Sequence, residues 1–275
     1  MDVGKPAGMY KRMPDDDPKA LAREAERVRS TTLLLSDYTL PEFMSVAERF
    51  GSGEYAYAVT PNVDHLIRYY DDATFRDLYR SARFVLLDSR FLALLLRLTG
   101  TRLPTCPGSD VTARLFADII RPDDKVVVIG SSAAQAEMLR QRHGLRGLHH
   151  FNPPMGFIND PQSVEETLRF IEEQSPFRFC LLAVGCPQQE VLAKALQTRG
   201  QAKGLALCIG ASINFITGGE RRAPRWLGAL GLEWMFRLLQ DPVRLSGRYL
   251  LRGPRIFYLL PRLKLRLRHR DAESA

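Results

Sequence analysis

The chain has 275 residues, of which 45% are hydrophobic and 25% charged, as in an ordinary globular protein with a substantial core. The longest apolar run, at residues 91–98, is too short to span a bilayer. The net charge of +8 is uneven: residues 221–270 carry thirteen Lys or Arg against two acids, whereas residues 1–220 sum to −1. This asymmetry favours a polyanionic partner such as nucleic acid, an anionic membrane or a phosphorylated ligand.

Residues 1–29 are polar and charged and predict a mostly disordered tail with no signal peptide. The four cysteines form no CxxC pair and suggest no disulfide framework, which favours a reducing, cytoplasmic setting. From residue 30 onward, apolar runs that predict strands alternate with helical patterns. The predicted strands cover 31–35, 55–60, 83–88, 125–130, 147–151, 177–185 and 204–211.

The helical patterns lie between these strands, at 61–82, 90–99, 108–120, 131–144, 160–174 and 187–200. Buried strands that alternate with helices predict an α/β fold with a parallel sheet and helices on both faces. The sequence predicts two Rossmann-like βαβ blocks as two lobes of a core at 30–220, meeting near 100–124. A basic helical appendage follows at 221–275. Ligands of such sheets bind at the carboxyl ends of the strands.

Three predicted strand ends carry polar residues. Thr60 and Asn62 follow one strand, Asp88 ends another, and Gln189 and Glu190 begin the helix after a third. An aspartate that ends a buried strand is well placed to act as a general base, although it also suits a helix cap. Thr60 and Asn62 suit ligand binding or capping, and a glutamate in a first helical turn also favours the helix dipole.

The turn "VVVIGSSAAQAE" resembles a dinucleotide-binding turn but has only Gly130 in place of the three-glycine fingerprint. Its backbone could still approach a phosphate. No convincing set of metal ligands is visible, since the adjacent His149 and His150 would point apart in a strand.

Six segments occur in an order and spacing that identify a family: "TPNVDHL", "LLDSR", "PGSDV", "VGCPQQE", "IGASINFITGGERRAP" and "GLEWMFRLLQDPVRLSGRY". Over residues 30–250 the chain resembles the WecG/TagA/CpsF family, glycosyltransferase family 26. The resemblance implies an inverting enzyme that transfers a sugar from a UDP-sugar to a polyprenyl-diphosphate-linked acceptor, in surface-polysaccharide synthesis at the cytoplasmic face of the membrane. It implies no cofactor and no bound metal.

The resemblance also implies roles for particular residues. The family's catalytic aspartate falls on Asp88, its Thr-x-Asn motif on Thr60 and Asn62, and its PxQE motif on Gln189 and Glu190. The arginines of its appendage and its RAP motif fall on Arg222, Arg237, Arg244 and Arg248.

Two positions depart from the family pattern. Ser89 stands where the family often has glycine, and Asn214, within the predicted donor site, stands where it often has aspartate.

The basic appendage has two predicted tasks. Its arginines would neutralise the diphosphate leaving group in place of a metal, since a guanidinium binds phosphate oxygens bidentately. Residues 252–270 have helical spacing that places Ile256, Leu260, Leu263 and Leu267 on one face beside arginines, which predicts a helix lying on an anionic membrane. Packing of these residues on the body or between subunits is the alternative.

Two other functions remain open from the residues alone. A nucleic-acid-binding protein would explain the basic tail but not the polar strand ends. A nicotinamide-dependent oxidoreductase would suit the fold, but the missing glycine fingerprint argues against it. The sequence favours a transferase that has no nucleic-acid partner. It does not determine whether the protein forms a homo-oligomer.

Overall fold

A computed structural model describes residues 32–98 and 100–268, and at positions 225, 229, 244 and 264 it describes only the backbone. The predicted tail at residues 1–29 lies outside this range. The strands of the described residues are β1 Thr32–Ser36, β2 Tyr55–Val59, β3 Phe84–Val85, β4 Val126–Ile129, β5 Leu148–Phe151, β6 Phe179–Leu182, β7 Gly204–Cys208 and β8 Lys264–Arg268.

Helices separate these strands and form most of the C-terminal segment. The α-helices are α1 Leu40–Phe50, α2 Val63–Asp71, α3 Ala73–Arg80, α4 Arg90–Leu98, α5 Gly108–Arg114, α6 Ala133–His143, α7 Pro161–Glu173, α8 Gln188–Arg199, α9 Ser212–Ile216, α10 Arg225–Ala229, α11 Glu233–Gln240, α12 Pro242–Ser246 and α13 Arg255–Leu259. π-helical segments follow α5 at Leu115–Ile119 and α12 at Gly247–Arg252, and 3₁₀ turns cover Phe157–Asn159 and Leu260–Arg262.

Six strands form one parallel sheet in the order β3-β2-β7-β6-β4-β5. This confirms the predicted α/β fold with a parallel sheet. Strands from before and after residues 100–124 pair directly, because β2 lies beside β7. The two predicted βαβ runs therefore both contribute strands to this one sheet.

The hydrophobic core lies on both faces of this sheet. Successive residues of β4 point to opposite faces, so Val127 and Ile129 join one apolar cluster whereas Val126 and Val128 join the other. Helices α2, α3, α4, α7 and α8 cover the first face, and α1, α5, α6 and α9 cover the second. Because both faces are buried, the strands read as continuous apolar runs.

The helical region predicted at 61–82 is two helices. Asp72 ends α2, since its backbone N–H donates to Arg68 O, and its side chain then accepts from the N–H groups of Thr74 and Phe75 at the start of α3. The apolar spacing continues across this break, which explains why the sequence predicts one helix. Helix α1 was not predicted at all.

The end of the described chain corrects a second prediction. The described part of the predicted helix, residues 252–268, does not form one amphipathic helix, because the chain leaves the helical path after Arg262 and β8 pairs in parallel with β1. Ile256, Leu260 and Leu263, predicted to face a membrane, are buried and join the core cluster beside α2 and α4. The prediction of a membrane-facing apolar side for these residues was wrong.

The appendage packs closely on α4 at Gly231. This glycine has a φ of +72°, and a Cβ there would lie 2.9 Å from Leu94 Cδ1 and 3.1 Å from Phe91 Cα. Nearby, the Phe91 ring lies 6.3 Å from Trp234 and 6.4 Å from Phe257. A left-handed glycine and an aromatic cluster therefore fix the appendage against the core.

We expect Gly231→Ala to lower the free energy of unfolding by about 1–3 kcal/mol, because alanine is strained at positive φ and the Phe91 backbone cannot retreat. Thermal unfolding and limited proteolysis of the appendage would measure this. Gly247→Ala is the matched control, since a Cβ there meets nothing within 4 Å. Equal unfolding temperatures for both variants would contradict this account of the contact.

Candidate active site

The predicted site residues follow the carboxyl ends of five strands. Thr60 follows β2, Asp88 follows β3, Gly130 follows β4, Gln189 follows β6, and Asn214 follows β7. Because all strand pairs in the sheet are parallel, these ends lie at one edge of it. The contacts divide the residues into a cavity group, a buried group and a group at the start of α6.

Asp88 does not cap the helix that follows it. Ser89 performs that task, with its Oγ accepting from Leu92 N at 3.2 Å and its carbonyl from Ala93 N. Asp88 Oδ1 instead accepts from Gly108 N at 2.8 Å, the first residue of α5. Among the described residues nothing donates to Oδ2, so this oxygen can take a proton.

Burial raises the pKa of Asp88 above the usual range for aspartate. The positive charge of Arg237 and the N–H of Gly108 oppose this rise, and the nearby Glu233 carboxylate adds to it. A carboxylate with a raised pKa is a stronger base than an exposed aspartate. These properties suit a group that removes a proton from a hydroxyl.

Asn62 and Thr60 both make local hydrogen bonds. Asn62 Oδ1 accepts from the N–H groups of Asp64 and His65, so it caps α2, and it also accepts from Arg248 Nη2 at 3.1 Å. Thr60 Oγ1 donates to Cys208 O at 3.2 Å and thereby ties β2 to β7. Asn62 thus both caps α2 and contacts the appendage, whereas Thr60 holds together the ends of β2 and β7.

A cavity of about 380 Å³ lies between these strand ends and the appendage. Four of the predicted residues line it, namely Asn62, Asp88, Arg237 and Arg248. The aromatic rings of Phe91, Trp234, Tyr249 and Phe257 form much of the remaining wall. The cavity therefore places three carboxylates and three guanidinium groups in one largely apolar enclosure, as binding sites for small ligands commonly place polar groups.

Ion pairs hold the two predicted arginines that line the cavity, Arg237 and Arg248. Arg237 donates to Glu233 at 3.1 Å and lies over the Phe215 ring at 4.8 Å. Arg248 Nε lies 3.8 Å from Asp64, whose carboxylate also pairs with Arg68 and Arg252. These three arginines hold the pKa of Asp64 below its usual value despite its burial.

Of the other two predicted arginines, the structure describes the side chain of Arg222 but not that of Arg244. Arg222 does not line the cavity among the described residues, since it pairs with Asp110 and donates to Ser109 Oγ at 2.8 Å. Asp110 also accepts from Arg90 at 3.0 Å, and Arg90 lies 4.0 Å from Glu233. Arg222 thus links the start of the appendage to α5. The side chain of Arg244, on α12, lies outside the described residues.

Gln189 and Glu190 are buried behind the cavity and do not line it among the described residues. Gln189 Nε2 donates to Glu190 at 2.9 Å, and Gln189 Oε1 accepts from Gly210 N at 2.8 Å. Burial raises the pKa of Glu190 to about 7. The pair therefore holds the loop between β7 and α9, and direct contact with a ligand would require rearrangement.

Gly130 and Asn214 lie in a third group around the start of α6. Gln135 Nε2 donates to Asn214 Oδ1 at 2.8 Å, and Asn214 in turn donates to Glu220 at 3.2 Å. Gly130 has a φ of +88°, and a Cβ there would lie 2.9 Å from the Ala183 backbone. Neither residue lines the cavity among the described residues.

Reasoning from the sequence missed two residues that lie beside Glu190. One ring nitrogen of His65, the Cys186 sulfur and a Glu190 oxygen all lie within 4.8 Å of one another. His65 is in "TPNVDHL" and Cys186 in "VGCPQQE", so both occur in the motifs that were noticed. Their proximity depends on the pairing of distant strands, and no local spacing signals it.

Comparison with known proteins agrees with this geometry. The model of the glycosyl transferase WecG/TagA/CpsF family matches residues 30–270. The chain belongs to this family. It is therefore a glycosyltransferase, and the family match favours that activity over the nucleic-acid-binding and oxidoreductase alternatives.

Two known proteins are similar to this family member. The N-acetylglucosaminyldiphosphoundecaprenol N-acetyl-beta-D-mannosaminyltransferase of Bacillus subtilis (strain 168) is 25% identical over 176 residues, which cover 63% of this chain and 67% of that protein. A solved structure, the selenomethionine-substituted domain of unknown function 1792, is 13% identical with a TM-score of 0.40, covering 79% of this chain and 85% of that one. The latter similarity is too low to support an argument.

Proposed function

We propose that this glycosyltransferase moves a sugar from a UDP-sugar to a polyprenyl-diphosphate-linked acceptor in surface-polysaccharide synthesis. One observation carries the proposal: Asp88 shares an aromatic-walled cavity with Arg237 and Arg248. A base for the acceptor hydroxyl and positive charge for a diphosphate are the two groups that this transfer needs. The Bacillus subtilis relative supports the acceptor class, because its name specifies a diphosphoundecaprenol-linked sugar.

The reaction would proceed as a single displacement. Asp88 Oδ2 removes the proton of the acceptor hydroxyl, whose oxygen attacks the anomeric carbon of the donor. The bond from that carbon to the diphosphate breaks on the opposite face, and UDP leaves with the electron pair. Arg237 and Arg248 stabilise the negative charge that develops on the diphosphate, exchanging their carboxylate partners for phosphate oxygens.

The other predicted residues would act around this centre. Asn62 would position the acceptor, since it lines the cavity, and Thr60 would support it from behind. The group around Gly130 and Asn214 would receive the nucleotide, because the start of α6 offers backbone N–H groups. Gln189 and Glu190 would fix the loop at Gly210 on the donor side, and Arg222 would hold the appendage over it.

A transfer assay tests this proposal. Purified protein without added metal would be given UDP-linked glucose, uronic acid or N-acetylmannosamine-type sugars, each with and without undecaprenyl-diphosphate-N-acetylglucosamine. We expect UDP release from one donor, and only when the acceptor is present. Added UDP should inhibit the reaction by competing with the donor, whereas DNA and NAD should not inhibit it. No release from any donor, with the acceptor sugar also varied, would contradict a UDP-sugar donor.

Contact with a membrane would use different residues from those that the sequence indicated. Nine of the fifteen exposed large apolar side chains of the described residues lie within 226–258, including Leu239, Val243 and Leu251 at 75%, 92% and 79% exposure. Arginines lie among them, so we propose peripheral binding to the anionic cytoplasmic face of the membrane through this surface. No helix in residues 32–98 and 100–268 is long and apolar enough to span a bilayer.

We expect the triple substitution Leu239→Ser, Val243→Ser and Leu251→Ser to weaken sedimentation with anionic phospholipid vesicles about 10-fold or more, because three apolar side chains no longer enter the interface. Met138→Ser with Met155→Ser is the control, since both side chains are exposed outside the appendage. Point substitutions are preferable to deleting the C-terminal segment, because a deletion would also remove the buried core residues Ile256 and Leu259. Unchanged vesicle binding by the triple variant would refute the proposed surface.

A further inference from the structure

Three potential metal ligands meet beside the sheet edge. His65 comes from the first turn of α2, Cys186 from the segment after β6, and Glu190 from the first turn of α8. Their ligand atoms lie within 4.8 Å of one another. None of the three lines the 380 Å³ cavity among the described residues, although Asp64, the neighbour of His65, does.

The hydrogen bonds around this cluster leave ligand atoms available. Glu190 is fully buried, and within residues 32–98 and 100–268 its Oε2 has no hydrogen-bond partner, although Oε1 accepts from Gln189. A buried oxygen without a partner costs free energy that a bound cation would recover. His65 Nδ1 lies 2.8 Å from Tyr79 OH, so the ring orientation is fixed, and Nε2 has no hydrogen bond among the described residues. Metal-binding histidines commonly have such a partner on the second nitrogen.

We propose that His65, Cys186 and Glu190 bind one divalent cation of the zinc class, with water as the fourth ligand. Imidazole nitrogen, thiolate sulfur and carboxylate oxygen are the ligands that zinc takes in proteins. Bonds of about 2.0–2.3 Å in a tetrahedron place ligand atoms about 3.6 Å apart, so side-chain adjustments on the order of 1 Å close the site.

The charges of the cluster support this assignment. A thiolate and a carboxylate together balance a divalent cation, which makes the occupied site neutral in its buried setting. The nearby guanidinium of Arg68 is already paired with Asp64 at 3.2 Å. The cation would connect α2, which the cavity residue Asn62 caps, to α8. Its role would be to hold the cavity wall, separate from neutralising the diphosphate.

The site can be tested without measuring transfer. Tag-free full-length protein would be dialysed with Zn²⁺, and bound zinc measured by elemental analysis. We expect one zinc per chain and a rise in unfolding temperature that a chelator reverses. Replacement by Co²⁺ should give a thiolate-to-cobalt charge-transfer absorption band. Wild-type protein with neither tight zinc nor this band would overturn the proposal, with no variant required.

Variants then locate the metal. Cys186→Ala should abolish the cobalt charge-transfer band and lower zinc affinity at least 10-fold, and Glu190→Gln should weaken binding while keeping the band. Cys106→Ala is the matched control, because Cys106 is also buried but packs in the cluster on the opposite face of the sheet. Zinc binding that survives both Cys186→Ala and Glu190→Gln would place the ion elsewhere and overturn the assignment.

Discussion

Asp88→Asn is expected to lower kcat/KM for sugar transfer by about 10²–10⁴-fold, the usual contribution of a general base. The amide is nearly isosteric, and its oxygen can still accept the hydrogen bond from Gly108 N that Asp88 Oδ1 accepts now. The substitution therefore removes the proton acceptor while keeping the local structure. Steady-state kinetics of acceptor-dependent UDP release would measure the loss.

A second aspartate variant separates loss of the base from loss of charge. Asp71→Asn is the matched control, since Asp71 is exposed, pairs with Arg255 and does not line the cavity. We expect its kinetics to stay within about twofold of wild type, as for most surface substitutions. If Asp88→Asn also stayed within that range, Asp88 would not be the base and another group in the cavity would have to act.

Arg237→Ala is expected to lower kcat by about 10²–10³-fold, the typical cost of removing one charged or hydrogen-bonding contact to the transition state. Arg237 also affects the base, because its positive charge lowers the pKa of Asp88. Transfer requires Asp88 to be ionised, so kcat/KM falls as the pH drops through that pKa. Removing Arg237 raises the pKa further, and the acidic limb of the pH profile should therefore move to higher pH.

The pH profile distinguishes this role from a general loss of folding. A poorly folded variant would lose activity equally at all pH values, whereas the shift of the acidic limb depends on the charge near Asp88. Arg237→Lys should keep the limb near its wild-type position because the charge remains. Arg262→Ala is the control, being exposed on the appendage and outside the cavity lining. An unmoved limb in Arg237→Ala would contradict the proposed coupling.

The strands and their polar ends could be predicted because their signals are local. Four consecutive apolar residues in β4 and four in β6 are buried on both faces, and such runs are typical of a parallel sheet. Asp88 and Asn62 each lie three residues after the end of a strand, so their place at the sheet edge follows from the direction of the chain. The break at Asp72 was missed because the apolar spacing continues through it.

Contacts between distant segments could not be predicted from local patterns. The residues Lys264–Arg268 alternate charged and apolar side chains, which also fits a strand, but only the pairing with β1 shows which structure forms. Likewise, Arg248 was expected at a diphosphate, while its contacts with Asn62 and Asp64 depend on how the appendage folds back. The proximity of His65, Cys186 and Glu190 likewise depends on how distant segments of the chain pack together.

The configuration of the transferred sugar tests the central claim of a single displacement driven by one base. The other cavity carboxylates, Asp64 and Glu233, are paired with arginines, which leaves Asp88 to act alone. NMR of the product formed from an α-linked UDP-sugar would determine the anomeric configuration. The mechanism predicts a β-linked product. An α-linked product would require either a second displacement or attack on the face from which the diphosphate leaves, and would contradict the account.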